Sequence, residues 1–258
     1  MKTIVTVAWY NPEQKDKFCE HWMLAPDDSR VHFQQDRDKS GCAATKNQGI
    51  TEALNAGADV IVVLDDDCLP EGPLKNTNPL GELIKDHLAA LEPQPVEMFQ
   101  VVTDPPSRGT PYFNRTITMP VAASIGFWTG VGDYDAPGQL VHGARNPMLF
   151  HRQPIFGRYF PLSGMNFAFR KEWSDCVQFV DVPRFDDIWM GFIFQKVAYA
   201  HDHCFNLGGP DVRHSRQSNV WQNLRDEAEY LEQNETIWQK IAEARAVDPS
   251  QLRRLICR

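Results

Sequence analysis

The chain has no apolar run of the roughly 20 residues that a membrane-spanning helix needs. It has no Cys-x-x-Cys pair. Its six cysteines, at 19, 42, 68, 176, 204 and 257, are scattered, which excludes a disulfide scaffold and fits reduced thiols. His201-Asp202-His203-Cys204 carries soft-metal donors, yet no second cluster at zinc-like spacing accompanies it. There is no Gly-x-x-x-x-Gly-Lys loop and no Gly-x-Gly-x-x-Gly, so neither phosphate-cradling fingerprint is available. Positive charge is in deficit: 26 Lys and Arg stand against 34 Asp and Glu, a net charge of −8. That points away from a basic stripe of the kind that carries nucleic acid. Met1 to Val7 enters a strand pattern directly, without the longer apolar core and small-residue cleavage site of a signal peptide, so a cytoplasmic location is expected. With 42% hydrophobic and 23% charged residues, the composition is that of a soluble globular protein.

The strongest positive feature is Val60-Ile61-Val62-Val63-Leu64-Asp65-Asp66-Asp67-Cys68. Five apolar residues, four of them β-branched, predict a strand buried on both faces. Ligands of open α/β sheets bind beyond the carboxyl ends of the strands. Three adjacent carboxylates there repel one another unless cations or hydrogen-bond donors compensate them. Hard oxygen donors at that place suit Mg²⁺ or Mn²⁺ and a phosphate-bearing substrate. A solvated acidic turn is the alternative.

Around this strand the pattern alternates. Thr3–Trp9 reads as a first strand, Pro12 opens a helix through Phe18 and Trp22, and Val31–Phe33 reads as a second strand. A helix from the Gly41 region through Leu54 ends at Gly57, a residue suited to the C′ position. The order predicts a parallel α/β unit. Leu80, Leu83, Ile84, His87, Leu88 and Leu91 predict a helix after the acidic run. A proline-punctuated middle follows, with short strands at 96–102, 116–122 and Phe167–Phe169. A buried helix is predicted from Trp189 to Ala200, and one long helix from about Trp221 to Ala246. No repeat and no clean linker is present. One domain is expected over 1–258, with a nucleotide-binding half to about 125 and a sugar or acceptor half from 126.

Four further clusters carry candidate chemistry. Lys46-Asn47 lies among small residues, where a lysine would meet a diphosphate as a point charge or simply be solvated. Gly132-Asp133-Tyr134-Asp135-Ala136-Pro137 is either an Asx-type turn or a loop for sugar hydroxyls. Asp186 and Asp187, before an apolar helix and paired with Gly164-Met165-Asn166, would cap that helix, serve as a base or hold a sugar. His214-Ser215-Arg216 would complete a metal site and pair with a phosphate, or be exposed polar residues.

These motifs, in this order, resemble a GT-A glycosyltransferase, and more closely the plant reversibly glycosylated polypeptides, the UDP-arabinopyranose mutases of glycosyltransferase family 75. The resemblance rests on Asp65-Asp66-Asp67-Cys68, Gly126-Phe127-Trp128, Asp133 to Pro137, Gln139-Leu140-Val141, Gly164-Met165-Asn166, Arg184 to Trp189 and His214-Ser215-Arg216 with Ser218-Asn219. It covers roughly residues 60 to 225; Gln35-Asp36 and the Gly41 to Ile50 segment resemble the wider GT-A group. It implies a Rossmann-like α/β fold with a single mixed sheet flanked by helices. It implies a UDP-sugar donor held by Asp36, Lys46, Asp65 (at the ribose), Asp66, Asp135, Asn166 and Arg216. Arg216, where the family usually has Lys, would hold the diphosphate. Mn²⁺ or Mg²⁺ would sit on Asp67 and His214. Asp186 and Asp187 fall where such enzymes place acids for the sugar or acceptor. The family carries a sugar on an arginine, and Arg115 is the nearest candidate here, although the family's local Arg-Glu-Gly is absent.

Three functions follow from the resemblance. The first is interconversion of the pyranose and furanose forms of UDP-arabinose. The second is transfer of a pentose from UDP to a hydroxyl of a glycan, a metabolite or a hydroxylated nucleobase, since net charge does not exclude a nucleic-acid acceptor. The third is a non-catalytic UDP-sugar-binding subunit in a mixed oligomer. No membrane partner is expected.

Overall fold

Two β-branched-rich runs and one shorter one form the parallel core of the sheet. In the computed structural model they are β1 (Thr3–Trp9), β2 (Val31–Gln35) and β3 (Val60–Asp65), joined by α1 (Pro12–His21) and α2 (Cys42–Asn55). The structure describes all residues except 26, 38–40, 72–77, 101–103, 106, 112, 147–150 and 257–258. Asn11 starts α1 by accepting from the Glu13 amide, with Pro12 as the first helical residue. Gly57, at φ +80°, follows the end of α2, as its sequence position predicts. β1 lies between β2 and β3, parallel to both, so the strand–helix–strand reading holds. Gly49 lets α2 approach β1: a Cβ there would stand 2.2 Å from the Thr6 hydroxyl oxygen.

The remaining elements are β4 (Cys68–Pro70), α3 (Pro79–Ala90), β5 (Gln94–Glu97), β6 (Thr116–Met119), β7 (Val121–Ile125), β8 (Trp128–Gly130), α4 (Ala136–His142), β9 (Pro154–Ile155), β10 (Asn166–Arg170), α5 (Asp186–Ala200), β11 (Cys204–Asn206), β12 (Val212–His214), α6 (Val220–Glu227), α7 (Leu231–Glu243) and α8 (Pro249–Ile256). The main sheet runs β2-β1-β3-β10-β7-β11-β9. β10 is antiparallel to both β3 and β7, which makes the sheet mixed. The α/β class with a mixed central sheet flanked by helices is the one the sequence predicts. β3 is buried on both faces: Ile61 and Val63 join one apolar core with α2 and α5, and Val60, Val62 and Leu64 join the other with α1 and α3. Full burial of each such side chain contributes about 1.5–3 kcal/mol, so β3 anchors both layers.

A smaller sheet, β4-β12-β8, positions the chemistry. β4 leaves the acidic turn after β3, and β12 pairs antiparallel to it with His214 opposite Cys68. These three-residue strands are too short to show a period in the sequence. The predicted 96–102 strand is the shorter β5; residues 101–103 lie outside the described residues, as do Pro106 and Cys257. The long C-terminal helix is corrected to α6 and α7, broken at 228–230. α7 buries Ile237 and Ile241, which lie about 100–140° around the axis from Leu224. α6 instead buries Asn223 and Glu227, polar side chains that an apolar pattern does not register.

One buried polar knot crosses the sheet. His87 on α3 has its ring nitrogens 2.9 Å from the Ser124 hydroxyl and 3.0 Å from Asn166 Oδ1, and the Asn166 amide donates to the Pro210 carbonyl. Burial, only partly opposed by Asn166, pushes the imidazole down to about 4. The folded state therefore binds this proton less readily than the unfolded chain. Its contribution is intact above about pH 6.5 and is lost as pH falls towards 4, on the order of 3 kcal/mol by pH 4. In urea melts from pH 7.5 to 4, His87→Gln should be less stable at pH 7.5 and lose stability less steeply on acidification than the wild type. Parallel curves would remove His87 from this account.

Candidate active site

The carboxylates after β3 are met by groups from three distant segments. Asp65 Oδ1 pairs with Lys46 Nζ of α2 at 2.6 Å. Asp67 Oδ2 accepts from Arg216 Nε at 3.0 Å and Nη2 at 2.9 Å, and lies 3.6 Å from His214 Nε2. Asp66 Oδ1 is 3.5 Å from Arg216 Nη2, and its buried Oδ2 has no partner among the described residues. Burial pushes Asp66 up to about 7, Arg216 opposing and the neighbouring aspartates adding to the shift. Burial penalises the Lys46 charge as well, but Asp65 overrides it and holds the ammonium well above its ordinary value. The backbone locks the turn: the Asp67 carbonyl accepts from both the amide and the hydroxyl of Ser215.

These residues divide two adjoining cavities. One, of about 300 Å³, is lined by Trp9, Tyr10, Asp36, Thr45 and Asp66. The other, of about 550 Å³, is lined by Asp67, Asp133, Tyr134, Asp186, Asp187 and His214, among others. Cys42, Lys46, Asp65 and Arg216 line both. The two cations thus stand where the cavities meet.

The larger cavity is acidic. Asp186 and Asp187 occupy the first turn of α5; Phe185 is the N-cap position and gives no side-chain cap, while Asp187 Oδ1 accepts from the Ile188 amide at 2.8 Å. Asp187 Oδ2 accepts from the Gly164 amide at 2.6 Å, while the Gly164 carbonyl accepts from Lys46 Nζ at 3.2 Å. A Cβ at residue 164 would lie 2.7 Å from the Phe179 ring and 2.9 Å from Asp187 Cβ, so glycine is required at this approach. Asp186 Oδ2 is buried without a partner among the described residues; burial, then Asp187, pushes the group up to about 7. Burial, then Asp187, brings Asp133 to about 6. The loop carrying Asp133 is held from behind. Arg184, at φ +66°, donates to the Tyr134 carbonyl and to Glu227 Oε1, and Glu227 Oε2 accepts from the Ala136 amide.

The acid pairs, the two cations and the paired cavities can now be set against known proteins. A sequence profile of the family described as "Reversibly glycosylated polypeptide" matches residues 53–246. The chain belongs to that family. "Probable UDP-arabinopyranose mutase 1" of Pisum sativum is 30% identical over 186 residues, 65% of this chain and 50% of that protein. "UDP-arabinopyranose mutase 3" of Arabidopsis thaliana is 30% identical over 202 residues, 70% of this chain and 53% of that protein. The chain spans about half the length of the curated relatives it matches. Among solved structures, the crystal structure of A197 from STIV aligns with 85% of this chain and 87% of that chain, at 8% identity and a TM-score of 0.36.

For this member of the reversibly glycosylated polypeptide family, Lys46, Asp65, Asp66, Asp67, Asp135, Asp186, Asp187, His214 and Arg216 all line one cavity or both, and Asp36 lines the smaller. Asp135 is also the N-cap of α4, accepting from the Gly138 amide, so its turn reading and its cavity reading both stand. Two expectations are corrected. Asn166 is fully buried, is spent on His87 and two backbone carbonyls and lines neither cavity, although its neighbour Met165 lines the larger one. Arg115 donates to the Pro111 carbonyl beside β6 and lines neither cavity. Trp9, Tyr10, Asp133, Arg184 and Glu227 were not singled out one by one. The first two stand at the carboxyl end of β1 as the acids stand at that of β3, so their place in the sequence marks them. Glu227 faces inward from a helix whose apolar pattern gave no sign of it.

Replacing Lys46 would strand Asp65. Removing one partner of a buried ion pair costs about 3–5 kcal/mol, and the 29% exposure of the Asp65 side chain puts this case at or below about 3. Lys46→Met should lose that much in chemical denaturation, and Lys46→Met with Asp65→Asn should recover most of it. Equal losses in the single and double variants would mean that the ion pair does not matter to the fold.

Proposed function

We propose that the chain is a UDP-sugar enzyme that interconverts the pyranose and furanose forms of UDP-arabinose. The observation that carries this reading is the pair of cavities meeting at Lys46 and Arg216. A nucleoside diphosphate sugar has the same shape in charge: two uncharged ends joined by an anion. The nucleoside belongs in the smaller cavity, the diphosphate beside the two cations, and the sugar against Asp133, Asp186 and Asp187. Likeness to proteins named UDP-arabinopyranose mutase supports arabinose as the sugar. The single-domain organisation is part of the proposal.

The donor set fits a divalent cation. Asp67 Oδ2 and His214 Nε2 lie 3.6 Å apart, and Asp66 Oδ2 is buried and unpartnered among the described residues. His214 Nδ1 lies 2.9 Å from the Val131 carbonyl; with its proton there, Nε2 is free as a donor to metal. Among the described residues no three His, Cys, Asp or Glu form a ready cage, so phosphate and water oxygens would complete the coordination, as is usual for Mg²⁺. When bound, the ion supplies charge stabilisation to the leaving diphosphate. The chain's own residues do the rest. Lys46 and Arg216 hold the diphosphate while the anomeric C–O bond breaks and re-forms. While the diphosphate is off, the entering hydroxyl bonds to the anomeric carbon and gives up its proton, the old bond from that carbon to the ring oxygen breaks as that oxygen takes a proton, and the diphosphate then bonds to the anomeric carbon again. Asp186, at about 7, is suited to both transfers near neutral pH.

Transfer to a separate hydroxyl acceptor is a second reading. It is favoured by Arg115 lying outside both cavities, which leaves a protein-carried sugar without its expected arginine.

Incubation with UDP-arabinopyranose and Mn²⁺, resolved by chromatography, should yield the furanose form. Asp186→Asn should slow this by about 10²–10⁴-fold with UDP affinity retained. Release of UDP without a ring isomer would instead indicate transfer, and UDP binding with no turnover of any donor would indicate a binding subunit.

A further inference from the structure

One carboxylate oxygen, Asp67 Oδ2, has two claimants. Arg216 covers it with two donors, at 3.0 and 2.9 Å. It is also the oxygen that, with His214 Nε2 3.6 Å away, offers a place for a divalent ion. Such an ion sits about 2.0–2.1 Å from its oxygen ligands, where the guanidinium would face it as a like charge at close range. Arg216 and a metal on Asp67 Oδ2 therefore exclude one another. The guanidinium also reaches Asp66 Oδ1 at 3.5 Å and donates to the Tyr10 hydroxyl at 3.1 Å. Its side chain is 40% exposed, so polar contacts rather than close packing hold it in place. Because it lines both cavities, it can turn from the aspartates to an anion lying between them.

We propose that Arg216 is an exchangeable internal cation: it neutralises Asp66 and Asp67 in the free protein and must leave Asp67 Oδ2 before that oxygen takes a divalent ion. The diphosphate of the donor is the anion that receives it. This rests on the nucleoside diphosphate reading of the site. Nucleotide and metal then bind cooperatively, each raising the affinity of the other by the same factor. Metal alone binds weakly, because it must displace Arg216 with no other partner on offer.

The test is Mn²⁺ titrated into the full chain without nucleotide, with free Mn²⁺ read by electron paramagnetic resonance and Asp67→Asn as the blank. Arg216→Gln should bind Mn²⁺ about tenfold more tightly than the wild type, although it has lost a residue from the site. In the wild type, UDP should tighten Mn²⁺ binding by about tenfold more than it does in Arg216→Gln, where only direct contact between phosphate and metal couples the two. Arg216→Lys keeps the charge without the fork and should fall between. Circular dichroism checks the fold; if Arg216→Gln does not fold, Arg216→Lys and the effect of UDP on the wild type decide. Mn²⁺ affinity unchanged or weakened in the variants, no effect of UDP on wild-type Mn²⁺ binding, or no binding above the blank would each overturn the exchange. UDP binding in EDTA is measured separately. Failure of UDP to bind both in EDTA and with Mn²⁺ would sink the nucleotide reading, whereas intact UDP binding with unchanged Mn²⁺ affinity would sink only the exchange.

Discussion

Three consecutive carboxylates at the end of a buried strand cannot all stay charged without cations brought from elsewhere in the chain. Two unit charges 4 Å apart repel by about 4 kcal/mol at an effective dielectric constant of 20. That is a large part of the roughly 5–15 kcal/mol by which a domain is stable. The structure answers with topology. α2 packs on β1 through Gly49 and so delivers Lys46 to Asp65. The small sheet brings β12 beside β4 and so delivers His214 and Arg216 to Asp67. Asp66, with one oxygen left over, is pushed by burial up to about 7.

The same compensation ties the two cavities together. Lys46 is bound on one side to Asp65 and on the other to the Gly164 carbonyl, and the Gly164 amide holds Asp187. The ion pair at the sheet edge and the acids of α5 thus share one glycine as a hydrogen-bond partner. On the opposite wall, Arg184 and Glu227 hold the loop that carries Asp133. Polar groups with fixed partners line the back of the site. Asp186, which lines the larger cavity, leaves its buried Oδ2 without a partner among the described residues.

Much of this was legible in the sequence because the signals were local and physical. The β-branched run before Asp65 announced a doubly buried strand, and its acidic end announced the site. Gly57 marked the end of α2. The order of the motifs in 60–225 carried the family, which the profile match over 53–246 bears out. What stayed hidden was long-range or polar. The three-residue strands β4, β8 and β12 have no periodicity to read, yet they seat His214. α6 turns Asn223 and Glu227 inward, so an apolar-face argument fused it with α7. Asn166 sits in a motif that looks functional but is consumed by His87, a contact across 79 residues that nothing in the sequence indicates.

The central claim is that a nucleoside diphosphate lies across the junction of the two cavities, with Arg216 turned onto it. A crystal structure of the chain with UDP and Mn²⁺ tests this most directly. The account predicts the base and ribose among Trp9, Tyr10 and Asp36, the diphosphate within hydrogen-bond reach of Arg216, and Asp67 released from the guanidinium. UDP bound elsewhere, or bound there with Arg216 still on Asp67 Oδ2, would contradict it.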